Sequence, residues 1–420
     1  MAKYHSIIFC LLFGLVGYSQ SISKITKNNS DSNFIESLLK QYPTYFQEIL
    51  NKRDSFNVQI IYTQINRDKH NKPSFKEYQF NLRQDQYFYP ASTVKMPIAF
   101  LALEKLNELA IPGLSKSTIM VTDSAYPGQT MVYTQPNAAA GIASIENYIK
   151  QIFLVSDNDA FNRLYEFLGQ EYIQKKLTEK GYPDAMIRHR LNVFLSADQN
   201  RATNPIFFYD TTGKIVYQQP AVYSNAQFQQ PSIQLGKGYY KGEDLMNQPF
   251  DFTDKNRIYL QDQHHILQSV YFPESVAVKN RFNLTDSDLA FVQQIMSTFP
   301  RESINPYYDS AIYYDAYCKF LLYGAKKADL PKNIRIFNKV GDAYGFLTDI
   351  AYIVDLDHQV EFMLSATISC NSDGIYNDDK YDYETVGYPF MQHLGEVILK
   401  YEQARKRKHP PNLTKFALSY

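Results

Sequence analysis

The sequence predicts an α/β fold. One antiparallel sheet of about five strands is built from both ends of the chain, flanked by helices, with an all-helical subdomain inserted between the two ends. Three observations predict it. Two runs of strand character stand near the N-terminus, at 56–65 and 75–82, and three more near the C-terminus, at 334–339, 346–354 and 360–369. The stretch from 92 to about 200 is helix-periodic over most of its length. A last helical segment, 389–405, closes the chain and gives the sheet a second layer to pack against.

Taken in order, residues 20–31 are polar and rich in Ser, Asn and Lys, a flexible lead-in. Across 33–51, Phe34, Leu38, Leu39, Tyr42, Tyr45, Phe46, Ile49 and Leu50 recur at helical spacing. The run Val-Gln-Ile-Ile-Tyr-Thr-Gln-Ile, ending at Ile65, reads as a strand, and the turn from Arg67 to Pro73 leads into its partner. Helical spacing is clearest over 93–109, 145–155, 159–168 and 172–180. The first of these is apolar nearly all round, which marks a central buried helix, and Pro97 falls near its first turn, where proline does least harm. Residues 206–255 break the pattern with Gly, Pro, Gln and Tyr, and read as a surface-lying insertion, partly β. Helices resume at 260–270, 286–296 and 312–322. No repeat of fixed period appears. Residues 32–420 therefore read as a single domain, with the α/β part at about 32–88 and 333–405 and the helical part at about 92–330.

Composition narrows the function. Lys+Arg 43 balances Asp+Glu 43, so no positive excess argues for nucleic acid or an acidic membrane surface. No apolar run of about 18 residues follows the N-terminus, so no membrane span is expected. At the N-terminus Lys3 and His5 precede the apolar block 7–16, and Gly17-Tyr18-Ser19 offers small residues at −3 and −1 of a cleavage site. Residues 1–19 thus read as a signal peptide, and the protein as exported, periplasmic or secreted. The mature chain keeps Cys318 and Cys370, whose pairing the sequence leaves open. His264-His265 lacks the i, i+4 spacing of a helical metal pair, and no Cys/His cluster or nucleotide-binding glycine pattern occurs, so no metal or cofactor is expected.

The chemistry begins at Ser92-Thr-Val-Lys95. A residue and its i+3 neighbour share one face of a helix, which sets a hydroxyl beside an amine as an activated serine requires. Alone the pattern is weak: it recurs at Ser21/Lys24 and Ser37/Lys40, and a serine at a helix start is also an ordinary cap. What singles out Ser92 is its company, Ser156-Asp157-Asn158 and then Lys339-Val340-Gly341. Each of these also has a plain reading, as a helix N-cap before residue 159 and as a strand-end turn. Their conjunction, in this order on helix, loop and strand, is what carries weight.

Together these three motifs resemble the motif set of the class A β-lactamases and penicillin-binding proteins. Ser92-Thr-Val-Lys-Met-Pro, the helix and hairpin before it, and Gly341 through Thr348-Asp349-Ile350-Ala351 are similar to that family's segments. The resemblance covers most of the mature chain except 206–255. It implies a cofactor-free serine hydrolase that opens a β-lactam or a related peptidoglycan-like amide through an acyl-enzyme on Ser92. Lys95 would be the base, and Ser156 would pass a proton to the leaving nitrogen. Lys339 would hold positive charge beside the substrate carboxylate, and Asn158 would bind the side-chain amide. Backbone N–H groups of Ser92 and Asp342, beside Gly341, would form the oxyanion hole. A monomer is expected.

Three departures qualify the resemblance. Asn192 falls where the family places the Glu that activates the deacylating water, and an amide cannot take that proton. Val340, which its place in the motif counts among the substrate-binding residues together with Lys339, Gly341 and Asp342, stands where Thr or Ser usually binds the substrate carboxylate, and Leu347 where many members place an Arg. A D-Ala-D-Ala peptidase or esterase on the same fold is therefore one alternative, and a β-lactam-binding module that acylates once is another.

Overall fold

In the computed structural model, residues 33–420 are described apart from Gln230 and Ser419. The expected signal peptide and the lead-in, residues 20–31, lie outside the described residues. Two short helices open the structure, α1 (Phe34–Leu39) and α2 (Pro43–Asn51). The single helix expected over 33–51 is broken because Pro43 starts a new helix, where its missing N–H costs nothing. A hairpin follows, β1 (Gln59–Arg67) and β2 (Pro73–Phe80). Then come α3 (Lys95–Leu109), α4 (Ile145–Val155), α5 (Asn158–Leu168), α6 (Gln170–Glu179), α7 (Leu260–Tyr271) and α8 (Asp286–Ser297). The chain returns through β3 (Ile334–Ala343), β4 (Phe346–Asp355) and β5 (Val360–Ser369) to the terminal helix α9 (Tyr388–Ala404).

The five strands form one antiparallel sheet in the order β3-β4-β5-β1-β2, so the two chain ends meet where β5 pairs with β1, with Ile60 opposite Ala366. β3 is an edge strand. Both faces of the sheet are covered, which explains why β4 and β5 are buried throughout except at Ser369. Strand alternation sorts their side chains. Phe337, Ile350 and Tyr352 join the core shared with the helical subdomain, while Ile336, Val340, Leu347 and Ile353 join the outer core under α1, α2 and α9.

Two expectations need correction. No α-helix spans 312–322; only a 3-10 turn, Asp315–Cys318, forms there. The Asp315 carboxylate, which takes the Arg301 guanidinium and the Leu330 N–H, pins the segment in place of a helical ladder. The inserted subdomain is also not all-helical. Strand Ile119–Thr122 pairs with Ile206–Tyr209, which pairs with Ile215–Gln219. β-branched and aromatic residues at alternate positions favour this local sheet. Cys318 and Cys370 are buried free thiols. Among the described residues no helix is long and apolar enough to cross a membrane, and no cluster of His, Cys, Asp and Glu could hold a metal ion. His264 is a core residue whose ring nitrogens lie 2.8 Å from the Thr63 and Ser365 hydroxyls.

Candidate active site

Ser92 lies in a 3-10 turn, Ala91–Val94, that runs straight into α3 with Lys95 as its first residue. Ala91 enters the turn with φ of 46°, a left-handed conformation that costs an L-residue roughly 1–2 kcal/mol and bends the chain at the serine. Ser92 is half-buried, whereas Lys95 is wholly buried because α3 is packed on all sides. The other lookalike within the described residues, Ser37/Lys40, sits on α1, where Lys40 is exposed and pairs with Glu36.

Ser156-Asp157-Asn158 is the junction between α4 and α5. Ser156 ends α4 with φ of 59°, and Asn158 is the first residue of α5. The capping reading holds for one residue of this triplet. Asp157 is the N-cap, accepting the Ala160 N–H at 2.8 Å, while Ser156 and Asn158 turn toward α3. Lys95 Nζ donates to Asn158 Oδ1 at 2.7 Å and to the Ser156 carbonyl, and lies 3.2 Å from Ser156 Oγ. Lys339 Nζ donates to the same Ser156 Oγ at 2.8 Å and to the Val340 carbonyl at 2.9 Å. The Ser156 hydroxyl thus stands between two buried amines.

Electrostatics follow from that burial. Loss of solvent holds the Lys95 amine well below its usual pKa, and the neighbouring Lys339 charge lowers it further. Burial also lowers Lys339. A neutral Lys95 has two N–H bonds, which the Ser156 carbonyl and Asn158 Oδ1 accept, and one lone pair left for a hydroxyl proton.

β3 delivers the third motif. Lys339 and Gly341 share the face toward Ser92. A Cβ at Gly341 would lie 2.6 Å from the Pro90 carbonyl and 2.9 Å from the N atoms of Ser92 and Thr93, so only glycine lets the edge strand touch the serine turn. Asp342 lines the same cavity as Ser92. Val340, expected among the substrate-binding residues, is corrected here: alternation turns its side chain into the outer core, 1% exposed, and only its carbonyl serves the site, through Lys339. Leu347 packs in the same outer core and does not line the cavity.

The cavity measures about 1170 Å³ and brings Ser92, Asn158, Asn192 and Asp342 to one space. Asn192 is exposed with φ of 54°. The chain just before it is held fast. Asn162 brackets Leu191, accepting its N–H at 2.8 Å and donating to its carbonyl at 3.0 Å. Arg190 Nε donates to Glu166 Oε1 at 2.8 Å, and Glu166 also pairs with Arg163 at 2.9 Å. Asp198, the one carboxylate between Met186 and Pro205, accepts the Tyr223 hydroxyl and does not line the cavity.

Sequence reading missed one wall. The 206–255 segment is not merely surface-lying: Tyr239, Tyr240, Lys241, Phe250 and Lys255 line the cavity. Its strand Gly238–Lys241 pairs in parallel with Ile375–Tyr376, just past β5. The alternating aromatics of 238–252 are the signal that it packs against something, though not against what.

A sequence model described as the Beta-lactamase enzyme family matches residues 43–281, more than half of the chain. No curated protein matches. Among solved structures, the chain is similar to a β-lactamase from Xanthomonas campestris at 13% identity and a TM-score of 0.48, covering 87% of this chain and 98% of that one. It is similar to a class A β-lactamase from Clostridium kluyveri at 14% identity and 0.45, covering 86% and 98%. It is also similar to a mutant of PBP-A in an acyl-enzyme complex with penicillin G, at 12% identity and 0.45, covering 87% and 96%. The matched segment runs through the Ser92 turn and the Ser156 junction, and by that match this chain belongs to the β-lactamase enzyme family, hydrolases of the serine β-lactamase and penicillin-binding-protein kind.

Proposed function

We propose that this protein is an exported hydrolase of the class A type, which opens a β-lactam amide through an acyl-enzyme on Ser92. The hydrogen-bonded run from Lys95, three residues on from Ser92, through Ser156 to Lys339 carries this reading. Neutral Lys95 takes the Ser92 proton as Oγ bonds to the carbonyl carbon. Charge on the tetrahedral oxygen is met by the Ser92 and Asp342 N–H groups, where β3 touches the serine turn. The C–N bond then breaks as Ser156 gives its proton to the leaving nitrogen and is reprotonated from a lysine amine. Lys339 keeps positive charge beside the departing group and its carboxylate, and Asn158 holds the acyl side chain.

Asn192 in the cavity wall favours a second reading, in which acylation outruns release. A D-Ala-D-Ala peptidase or esterase fits the outward turn of Val340 and Leu347, which leaves the substrate carboxylate without those two contacts. One experiment separates these. The mature protein is incubated with a chromogenic cephalosporin while colour and intact mass are followed, with Ser92→Ala as control. Multiple turnovers are expected. Stoichiometric colour with a lasting adduct would select the binding module, and neither signal would point to the peptidase or esterase. Asn192→Glu should shorten the life of any adduct about a hundredfold or more, the scale of general-base catalysis; an unchanged lifetime would show that Asn192 does not hold the deacylating position.

A further inference from the structure

Beyond the scissile-bond machinery, the cavity has a second chemically distinct region. It is built from Tyr89, three residues before Ser92, from His189, and from the insertion. Tyr89 lies parallel to His189 with ring centroids 6.3 Å apart, and edge-on to Tyr344 at 5.1 Å. Phe250 sits 5.5 Å from Tyr344, and Lys255 Nζ lies 5.7 Å from both of those rings. All five residues line the same cavity as Ser92. Three residues of chain reach at most about 10 Å, so this region is one short side arm away from the nucleophile.

Its polar groups are unspent. Among the described residues no carboxylate forms an ion pair with Lys255, whereas Arg188 on the same wall is paired with Asp254 at 3.0 Å. The His189 ring is oriented by Nδ1, which lies 2.6 Å from the Arg190 carbonyl and therefore carries the proton. That leaves Nε2 as a bare acceptor, and it is buried with no hydrogen-bond partner among the described residues. Burial, with Lys255 and Arg188 nearby, holds this ring neutral, with its pKa brought down to about 4. The carboxylate of Asp379 lines the cavity as well, but on the segment after β5. A half-buried ammonium, a neutral acceptor and aromatic faces together suit an anion attached to a group bearing an N–H, as in a peptide ending in a carboxylate.

We propose that Tyr89, His189, Phe250, Lys255 and Tyr344 form a subsite for an anionic, peptide-like arm on the acyl side of the substrate. This inference rests on the acylating role given to Ser92. It is an anion site separate from Lys339 beside the leaving group: Lys255 is a cation that the 206–255 segment brings to the cavity. The preferred acyl donor is then larger than a compact β-lactam, in keeping with a cavity above the usual small-ligand range of about 300–1,000 Å³.

The test uses two acyl-D-Ala thioesters that differ only in an N-acetyl or N-succinyl cap, with Ser92 acylation followed by intact mass. The succinyl compound should acylate about tenfold faster, the scale of one charge-assisted hydrogen bond in a partly solvated site. Lys255→Gln should bring that ratio to about one. Lys237→Gln, which removes the same charge from an exposed position of the insertion outside the cavity, should keep it. Equal rates for the two caps in the unaltered protein, or a preference that survives Lys255→Gln, would overturn the subsite while leaving the Ser92 chemistry standing. Neither adduct nor turnover with either compound or with the cephalosporin would remove the acylating role itself, and the subsite with it.

Discussion

Gly341→Ala changes one hydrogen to a methyl at the point where β3 meets the serine turn, and the structure sets the size of the effect. The new Cβ would face the Pro90 carbonyl at 2.6 Å and the Ser92 and Thr93 N atoms at 2.9 Å, all of them backbone. Ordinary contact begins at 3.4 Å, so the strand and the turn must part by roughly 0.8 Å at the carbonyl. No flexible side chain end is there to absorb the movement. Overpacking of this kind costs about 1–3 kcal/mol, against which alanine recovers about 0.4–1 kcal/mol by restricting the unfolded chain. Net destabilisation of about 1–2 kcal/mol is expected in urea unfolding. Function should fall much further than stability. The parting separates the two backbone N–H groups assigned to the oxyanion hole, and a misplacement near 1 Å costs on the order of 10²-fold. Single-turnover acylation of Ser92, followed by mass, measures it. A variant that acylates within threefold of the unaltered rate would refute the claim that contact between β3 and the turn builds the oxyanion site.

Two further substitutions probe the buried amine and the strand register. Lys95→Met should abolish acylation yet stabilise the fold by about 1 kcal/mol or more at pH 7, because a group that must lose its charge on burial is removed. The sign follows from linkage: the unfolded chain binds more protons than the folded one between the depressed pKa and 10.5, so the stability of the unaltered protein rises with pH there. The advantage of Lys95→Met in urea should therefore shrink from pH 7 to pH 10; a constant or growing advantage would mean that Lys95 stays charged when folded. Val340→Thr should leave acylation kinetics alone and cost about 1–3 kcal/mol, since its hydroxyl would enter the apolar outer core. A gain in affinity for a substrate carboxylate would show that this residue faces the cleft after all.

The parts of the fold that were legible in the sequence are those written in local periodicity. The β1–β2 hairpin, the all-round apolar α3 and the β3–β5 meander each announce themselves within about ten residues, and the structure places them within a few residues of expectation. The segment 312–322 shows what local pattern misses. Its tyrosines recur at helical spacing, yet Tyr308, Tyr313 and Tyr317 pack edge to face in sequence around a 3-10 turn. Distant polar groups decide the matter: Asp315 is held by Arg301, and Lys319 Nζ reaches the Met296 carbonyl and Asn338 Oδ1 at 2.8 and 2.7 Å. The site divides the same way. Ser92, Lys95, Ser156 and Lys339 could be picked out because three short motifs occur in order, and the side chains of the last three converge although 183 residues separate Ser156 from Lys339. Val340 was misassigned because a motif gives spacing and not which face of a strand it occupies. His189 and Lys255 had no motif at all. Their significance is an atom without a hydrogen-bond partner and a charge without an ion-pair partner among the described residues, and both are properties of the surrounding walls. In a family whose acylating residues are fixed by such motifs, the walls are where one member's substrate can come to differ from another's, and here the 206–255 segment and its parallel pairing with Ile375–Tyr376 build one of them.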